Sequence, residues 1–200
     1  MLTCDDKNIL RMLSILREIT LKNESVIWIT GLSSSGKTTL AQEIQRLLKT
    51  KGTPAILLDG DDLREVVLGA TKHQSQQFDE AKREKLAFIY CRMAKLFLEQ
   101  GWWVIVSTIS MKKSVFDWNR KNLPNYFEIL IDLPLEILEA RDPKNIYSDF
   151  KNGRRKNVIG LDITVEWPSQ PDLVFNEANL QSPVQMAESV VNIIEPRGLS

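Results

Sequence analysis

The sequence predicts an α/β fold, a mostly parallel sheet covered by helices on both faces. Short apolar runs suited to buried strands alternate with longer stretches of helical periodicity, the pattern of such a sheet. Two of these runs end in turns rich in glycine or acid, and sheets of this kind bind ligands beyond the C-terminal ends of their strands. Over 200 residues, 43% hydrophobic and 26% charged, no repeat, low-complexity tract or linker divides the chain. The expectation is a helical extension over residues 1–24 and one domain over 25–200.

Taken in order, Ile9, Leu10, Met12, Leu13, Leu16 and Ile19 recur at helical spacing. That face suits packing on the domain or on a second subunit. Val26 to Thr30 reads as the first buried strand and a helix follows from about Lys37 to Lys49. Ala55 to Leu58 is a second strand and leads into Asp59-Gly60-Asp61-Asp62, read as an acidic turn. A helix-rich stretch covers Asp79 to Gln100 and ends at Gly101; Trp102 to Thr108 is the third strand. A helical segment over Lys113–Asn122 leads to the strand Phe127–Asp132, and another helix starts near Pro134. Asp172 to Phe175 is the last strand, and Val184 to Ile194 the last helix. Cys91 lies within a helical apolar pattern and is expected in the core.

Composition excludes several chemistries. The chain has 26 Lys+Arg, 26 Asp+Glu and one histidine, His73. Zero formal charge argues against broad binding to nucleic acid or to an acidic membrane. His73 stands in the polar stretch Thr71–Gln77 and is read as a surface residue. Cys4, His73 and Cys91 lack the paired spacings of a zinc site, and two distant cysteines fit a reducing cytoplasm. The opening residues have no apolar signal core, and runs such as Trp102–Val106 are too short to span a bilayer.

The chemistry concentrates in three segments. Gly31-Leu32-Ser33-Ser34-Ser35-Gly36-Lys37-Thr38 matches G-x-x-x-x-G-K-[ST] between a strand and a helix. Backbone N–H groups of such a loop, Ser33, Ser34 and Ser35 among them, form an anion nest at a helix N-terminus. Gly31 and Gly36 permit close approach, Lys37 reaches the β- and γ-phosphates, and the Thr38 hydroxyl suits Mg²⁺. Thr39 follows in the same helix start. In Asp59–Arg64 the carboxylates can hold Mg²⁺ through water or accept a proton from an attacking hydroxyl, and Arg64 suits an anionic group. Arg141 to Lys156 carries six basic residues and two acids, and reads as a mobile basic lid over about 141–160 that neutralises phosphate charge and excludes water. No N-K-x-D motif for reading guanine is present.

In combination these segments resemble adenylylsulfate kinase, the APS kinase family. Its pattern runs W-x-T-G-L-S-x-S-G-K-[ST]-T, L-D-G-D-x-x-R, R-D-x-K-x-x-Y, then a late G-x-D. Here these are Trp28–Thr39, Leu58–Arg64, Arg141–Tyr147 and Gly160-Leu161-Asp162. The resemblance covers roughly Ser25 to Ile194. It implies a P-loop NTPase-type three-layer α/β/α fold, ATP and Mg²⁺ as cofactors, and transfer of the γ-phosphate to the 3′-hydroxyl of adenylylsulfate, giving PAPS. It implies Asp61 as the group that orients or deprotonates that hydroxyl and a further Mg²⁺ candidate with Thr38. Asp59 would assist at the Mg²⁺ or at the acceptor, and Arg64 and Arg83 would hold the acceptor's anionic group. Phe78, Ser110, Lys144 and Val158 match acceptor-side positions, and Arg141 matches one beside the ATP adenine. Dimerisation is an expectation from the resemblance alone.

The departures from the family pattern fall on the acceptor side. Val158 and Ile159 stand in place of an aromatic that stacks on the acceptor base, and Leu86 in place of an asparagine. Phe88-Ile89 replaces a basic pair, and Met111-Lys112 replaces Pro followed by Tyr or Phe. Loss of the stack costs about 1–3 kcal/mol in purine recognition. A branch that resembles the cytidine diphosphoramidate kinases of bacterial capsule biosynthesis fits a smaller pocket lined by Val158 and Leu86. P-loop kinases of sugars and other small alcohols, and a nucleotide-binding module without transfer activity, remain open at this level. Trp167, after the lid, is a further candidate for the acceptor pocket.

Overall fold

Strand β1 (Val26–Gly31) is buried along its whole length, and it takes the central position of a five-stranded sheet. Its side chains alternate between two cores. Val26 and Trp28 enter one, Ile27 and Ile29 the other. This is the two-sided burial that a continuous apolar strand requires. The structure, a computed structural model, describes residues 24–69 and 80–198. The expected N-terminal helix, His73 and Phe78 lie outside the described residues.

The remaining elements, in order, are α1 (Lys37–Thr50), β2 (Ala55–Asp59), α2 (Gly60–Leu68), α3 (Glu80–Leu98) and β3 (Trp103–Ser107). They continue as α4 (Lys113–Asn122), β4 (Tyr126–Asp132), α5 (Leu135–Arg141), α6 (Ile146–Lys151) and β5 (Leu173–Asn176). A short 3₁₀ turn (Glu177–Asn179) then leads to α7 (Pro183–Gly198). The sheet order is β2-β3-β1-β4-β5, and every pairing is parallel. All five C-terminal strand ends therefore lie along one edge, which carries Gly31, Asp59, Ser107, Asp132 and Asn176. On one face, Leu40, Ala41, Ile44 and Leu48 of α1 share a core with Met186, Ala187, Val190 and Val191 of α7. On the other, Leu86, Tyr90, Cys91, Ala94 and Leu98 of α3 pack with Val115 of α4. Each fully buried Leu, Ile or Val in these layers contributes about 1.5–3 kcal/mol. Among the described residues no helix is long and apolar enough to cross a membrane.

Three local expectations need correction. Asp59–Asp62 is no free turn: Asp59 ends β2 and caps α2, and Asp61 and Asp62 form that helix's first turn. Carboxylates there complement the exposed N–H groups and the helix dipole. The third strand starts at Trp103, while Trp102 is 43% exposed. The basic segment is not simply a loop, because it contains α6. Burial of Tyr147 and a cap from Asp142 supply what its polar composition hides.

One departure from the family pattern is explained by packing. Phe88 meets Trp118 edge-on, with ring centroids 6.4 Å apart, and so joins α3 to α4. The apolar residue at this position serves the helix interface.

Glu128 is a buried acid in the sheet, 1% exposed. Burial pushes its carboxyl up, while Tyr126 Oη at 2.7 Å and Arg120 Nη2 at 3.2 Å hold it down. Arg120 also bonds Asp172 at 2.9 Å and covers the Tyr126 ring. Arg120→Ala leaves that carboxylate without its cation. The expected cost is about 2 kcal/mol, discounted because the guanidinium is one-third exposed, and is read as a lower denaturant midpoint at unchanged m-value.

Candidate active site

The loop after β1 is shaped by two close approaches. A Cβ on Gly31 would lie 2.6 Å from the Ile131 carbonyl oxygen, at φ +154°, so only glycine lets the loop leave the sheet here. Gly160 of the late G-x-D has φ +90°, and a Cβ there would lie 3.0 Å from the Leu32 side chain. Asp162 of that motif accepts the Asn157 and Val158 N–H groups at 2.7 and 2.5 Å. It thereby folds the segment that rests on the loop.

Lys37 is 9% exposed, and its ammonium donates to the Leu32 carbonyl at 2.6 Å and to Ser35 Oγ at 3.4 Å. Burial lowers its pKa to about 7, helped by Lys144 and Arg64 and opposed by Asp59. Ser34 holds a left-handed conformation, φ 65°. Thr38 starts α1 and donates from Oγ1 to Asp59 Oδ2 at 2.7 Å, and Thr39 beside it is exposed. Asp59 Oδ1 accepts the Asp61 N–H at 2.9 Å.

Asp61, in the first turn of α2, is bracketed by cations. Its Oδ1 pairs with Arg64 and its Oδ2 with Lys144 from the basic segment. The sequence expectation grouped Asp61 with Thr38 at a metal; the structure gives Thr38 the carboxylate of Asp59 instead. Arg83 lies close by and donates to the Asn157 carbonyl at 2.8 Å. Burial depresses both Arg64 and Arg83 from their ordinary values. Lys37, Arg64, Arg83 and Lys144 thus face two carboxylates, Asp59 and Asp61. This excess of positive charge suits a polyanionic ligand.

A cleft of about 50 Å³ opens beside these groups. Leu86, Ile109, Met111, Ile159 and Ile163 supply its apolar wall, and Arg64, Arg83 and Ser110 its polar one. Typical ligand pockets are several-fold larger than this cleft. Ser110 Oγ lies 2.9 Å from Thr108 Oγ1, and its loop is fixed by Thr30 Oγ1 donating to the Ile109 carbonyl at 2.7 Å. Val158 is buried and does not line the cleft; its neighbour Ile159 does. Trp167 is not among the lining residues either. A second, open cavity of about 630 Å³ lies at the ends of β4 and β5, lined by Asp132, Leu133, Pro134, Asn176, Glu177 and Ala178. Arg141 ends the helix that begins at that wall and is exposed.

Two anchors of the basic segment escape a reading by motif alone. Tyr147 Oη donates to the Ser33 carbonyl at 2.9 Å, tying α6 to the loop. Asp142 accepts from the N–H groups of Ile146 and Ser148 at 2.7 and 2.9 Å. Burial alone would raise the Asp142 carboxyl, and its bonds to Ser148, Tyr147 and Ile146 outweigh that and lower it. The available signal was an Asp four to six residues ahead of the N–H groups it caps. A third feature, at the cleft mouth, is the ion cluster of Lys112 with Glu80 and Glu166, which only the tertiary fold brings together.

The profile of the family described as Adenylylsulphate kinase matches residues 23–176. The chain is 41% identical to a cytidine diphosphoramidate kinase of Campylobacter jejuni over 82% of this chain and 94% of that one. It is 35% identical to an adenylyl-sulfate kinase of Clostridium kluyveri, over 86% and 84%. Among solved structures, an APS kinase of Mycobacterium tuberculosis in complex with AMPPNP and APS superposes with a TM-score of 0.77 at 30% identity, covering 86% of this chain and 98% of that one.

The depressed Lys37 gives a direct readout of phosphate binding. A pKa near 7 would leave the amine largely neutral at pH 8, and a phosphate beside it would restore the charge. ATP binding at pH 8 should take up about one proton, falling towards none at pH 6. Calorimetry in buffers of different ionisation enthalpy measures this, and Lys37→Arg should abolish the uptake.

Proposed function

The chain belongs to the adenylylsulphate kinase family, a family of kinases that phosphorylate a hydroxyl group, and on that premise we propose that it transfers the γ-phosphate of ATP to the 3′-hydroxyl of a nucleotide-activated acceptor. Adenylylsulfate is the acceptor carried by the family. The observation behind the reading is the position of Asp61 between Lys144 and Arg64, the latter lining an apolar cleft, two residues from the carboxylate that holds Thr38.

In this reading the loop N–H groups and Lys37 bind the triphosphate. The adenine takes the open cavity beyond β4 and β5, near Arg141. Arg64 and Arg83 hold the acceptor's anionic group, and the cleft takes its base. Asp61 accepts the proton of the attacking hydroxyl as the new O–P bond forms and the bond from phosphorus to ADP breaks. Lys144 exchanges Asp61 for the transferring phosphoryl group, and the α6 segment, held by Tyr147, excludes water. Thr38 Oγ1 and Asp59 Oδ2, two hard oxygen donors 2.7 Å apart, suit magnesium. That ion would neutralise charge on the β- and γ-phosphates.

A second reading, a cytidine-activated phosphoramidate as acceptor, is favoured by the aliphatic wall of the cleft. Ile159 and Leu86 stand where a stacking ring and an amide would read a purine. An assay of ATP consumption with mass detection of the phosphorylated acceptor decides between them. Transfer is expected with adenylylsulfate or a cytidine diphosphate derivative, with no turnover on simple sugars or shikimate. Lys37→Ala should reduce transfer at least about a hundredfold. Transfer to a sugar alone, or ATP binding with no transfer to any acceptor, would overturn the assignment.

A further inference from the structure

The tip of β3 carries a polar group that the reaction described above does not use. Ser107 is 3% exposed, and its Oγ has no hydrogen-bond partner. A buried hydroxyl without a partner costs stability unless a water or a ligand satisfies it.

Its location indicates which state. In the parallel register Ser107 pairs with Asp59 on one side and Ile29 on the other. Paired residues of neighbouring strands project from the same face of a sheet, about 4.8 Å apart. That face is the α1 side: Ile29 and Ile105 pack there with Leu40 and Ile44, and Asp59 turns there to meet Thr38. Ser107 therefore stands next to the carboxylate–hydroxyl pair that suits magnesium. In many nucleotide-binding loops of this type, a strand-tip acid completes the metal site with the loop's Ser or Thr. Here β2 supplies the acid, Asp59, and β3 presents a neutral donor beside it.

We propose that Ser107 is a positioning residue of the metal–ATP site, its hydroxyl donating to a water held by the magnesium that Thr38 and Asp59 bind. Asp59 already has both carboxylate oxygens engaged, by Thr38 and by the Asp61 N–H. A further water in this layer needs another partner, and Ser107 is the buried polar group available on the adjoining strand. The inference rests on the magnesium reading and adds to it a residue that acts only when metal is present.

The test compares wild type, Ser107→Ala and Ser107→Thr, with ATP as the ligand and no acceptor. Melting of the ligand-free protein and calorimetric ATP affinity, with magnesium and with excess chelator, are the readouts. Ser107→Ala should melt at or above the wild-type temperature, since it removes an unsatisfied buried hydroxyl. It should bind metal-free ATP within twofold of wild type and Mg·ATP about five- to tenfold more weakly. Ser107→Thr, which keeps the hydroxyl, should retain the magnesium effect; manganese EPR of the ATP complex should show the same ranking. If Ser107→Ala melts lower and loses both affinities in parallel, the residue is structural and the inference is wrong. Unchanged Mg·ATP affinity would also overturn it. If wild-type ATP affinity does not respond to magnesium at all, the magnesium reading itself fails, a result distinct from either.

Discussion

The site depends on one carboxylate. Asp59 ends β2, and its two oxygens accept from Thr38 Oγ1 and from the Asp61 N–H. The first bond ties the sheet to the helix that follows the phosphate-binding loop. The second starts α2 and fixes where Asp61 and Arg64 project. With β2 beside β3, and β3 beside β1, the three strand tips bring the loop, the acid and the acceptor cleft to one edge. An apolar residue at 59 would free the Thr38 hydroxyl and uncap α2 together. For this reason the ATP side and the acceptor side are one construction.

Charge is the second constraint. Lys37, Arg64, Arg83 and Lys144 crowd the same edge, and burial depresses the first three. Lys37 donates to the Leu32 carbonyl and Lys144 pairs with Asp61. In the proposed reaction, phosphate groups would draw both lysines away, and ligand entry would release Asp61. A carboxylate freed in this way is available as a proton acceptor only when the transferring group has arrived. The chain's overall neutrality thus averages over an intensely polar site.

Much of this was legible in the sequence because its signals are local. The β1 run, the G-x-x-x-x-G-K-[ST] loop and the alternation of strands and helices each depend on residues close together, and the five strands recur in the structure within a residue of the expected bounds. The resemblance set Asp61 at the hydroxyl with Asp59 assisting, but that Thr38 pairs with Asp59 and Lys144 with Asp61 was not legible. Two acids two residues apart look equivalent until α2 forms and sends one inward to Thr38 and the other outward to Lys144. Similarly, Tyr147 meets Ser33 across 114 positions, a contact that no local pattern encodes. Composition marked Arg141–Lys156 as a basic loop, but a buried tyrosine and an aspartate cap make a helix of its middle. Ser107 was one residue of the third-strand run, and its place beside Asp59 shows only in the sheet register.

The central claim is the division of labour between the two acids, and ATP titration with parallel phosphotransfer measurements on Asp59→Asn and Asp61→Asn tests it most directly. The account predicts that Asp59→Asn weakens Mg·ATP binding, whereas Asp61→Asn binds Mg·ATP as well as wild type and loses acceptor phosphorylation by about a hundredfold or more. Loss of Mg·ATP affinity in Asp61→Asn with normal affinity in Asp59→Asn, or full transfer by Asp61→Asn, would contradict it.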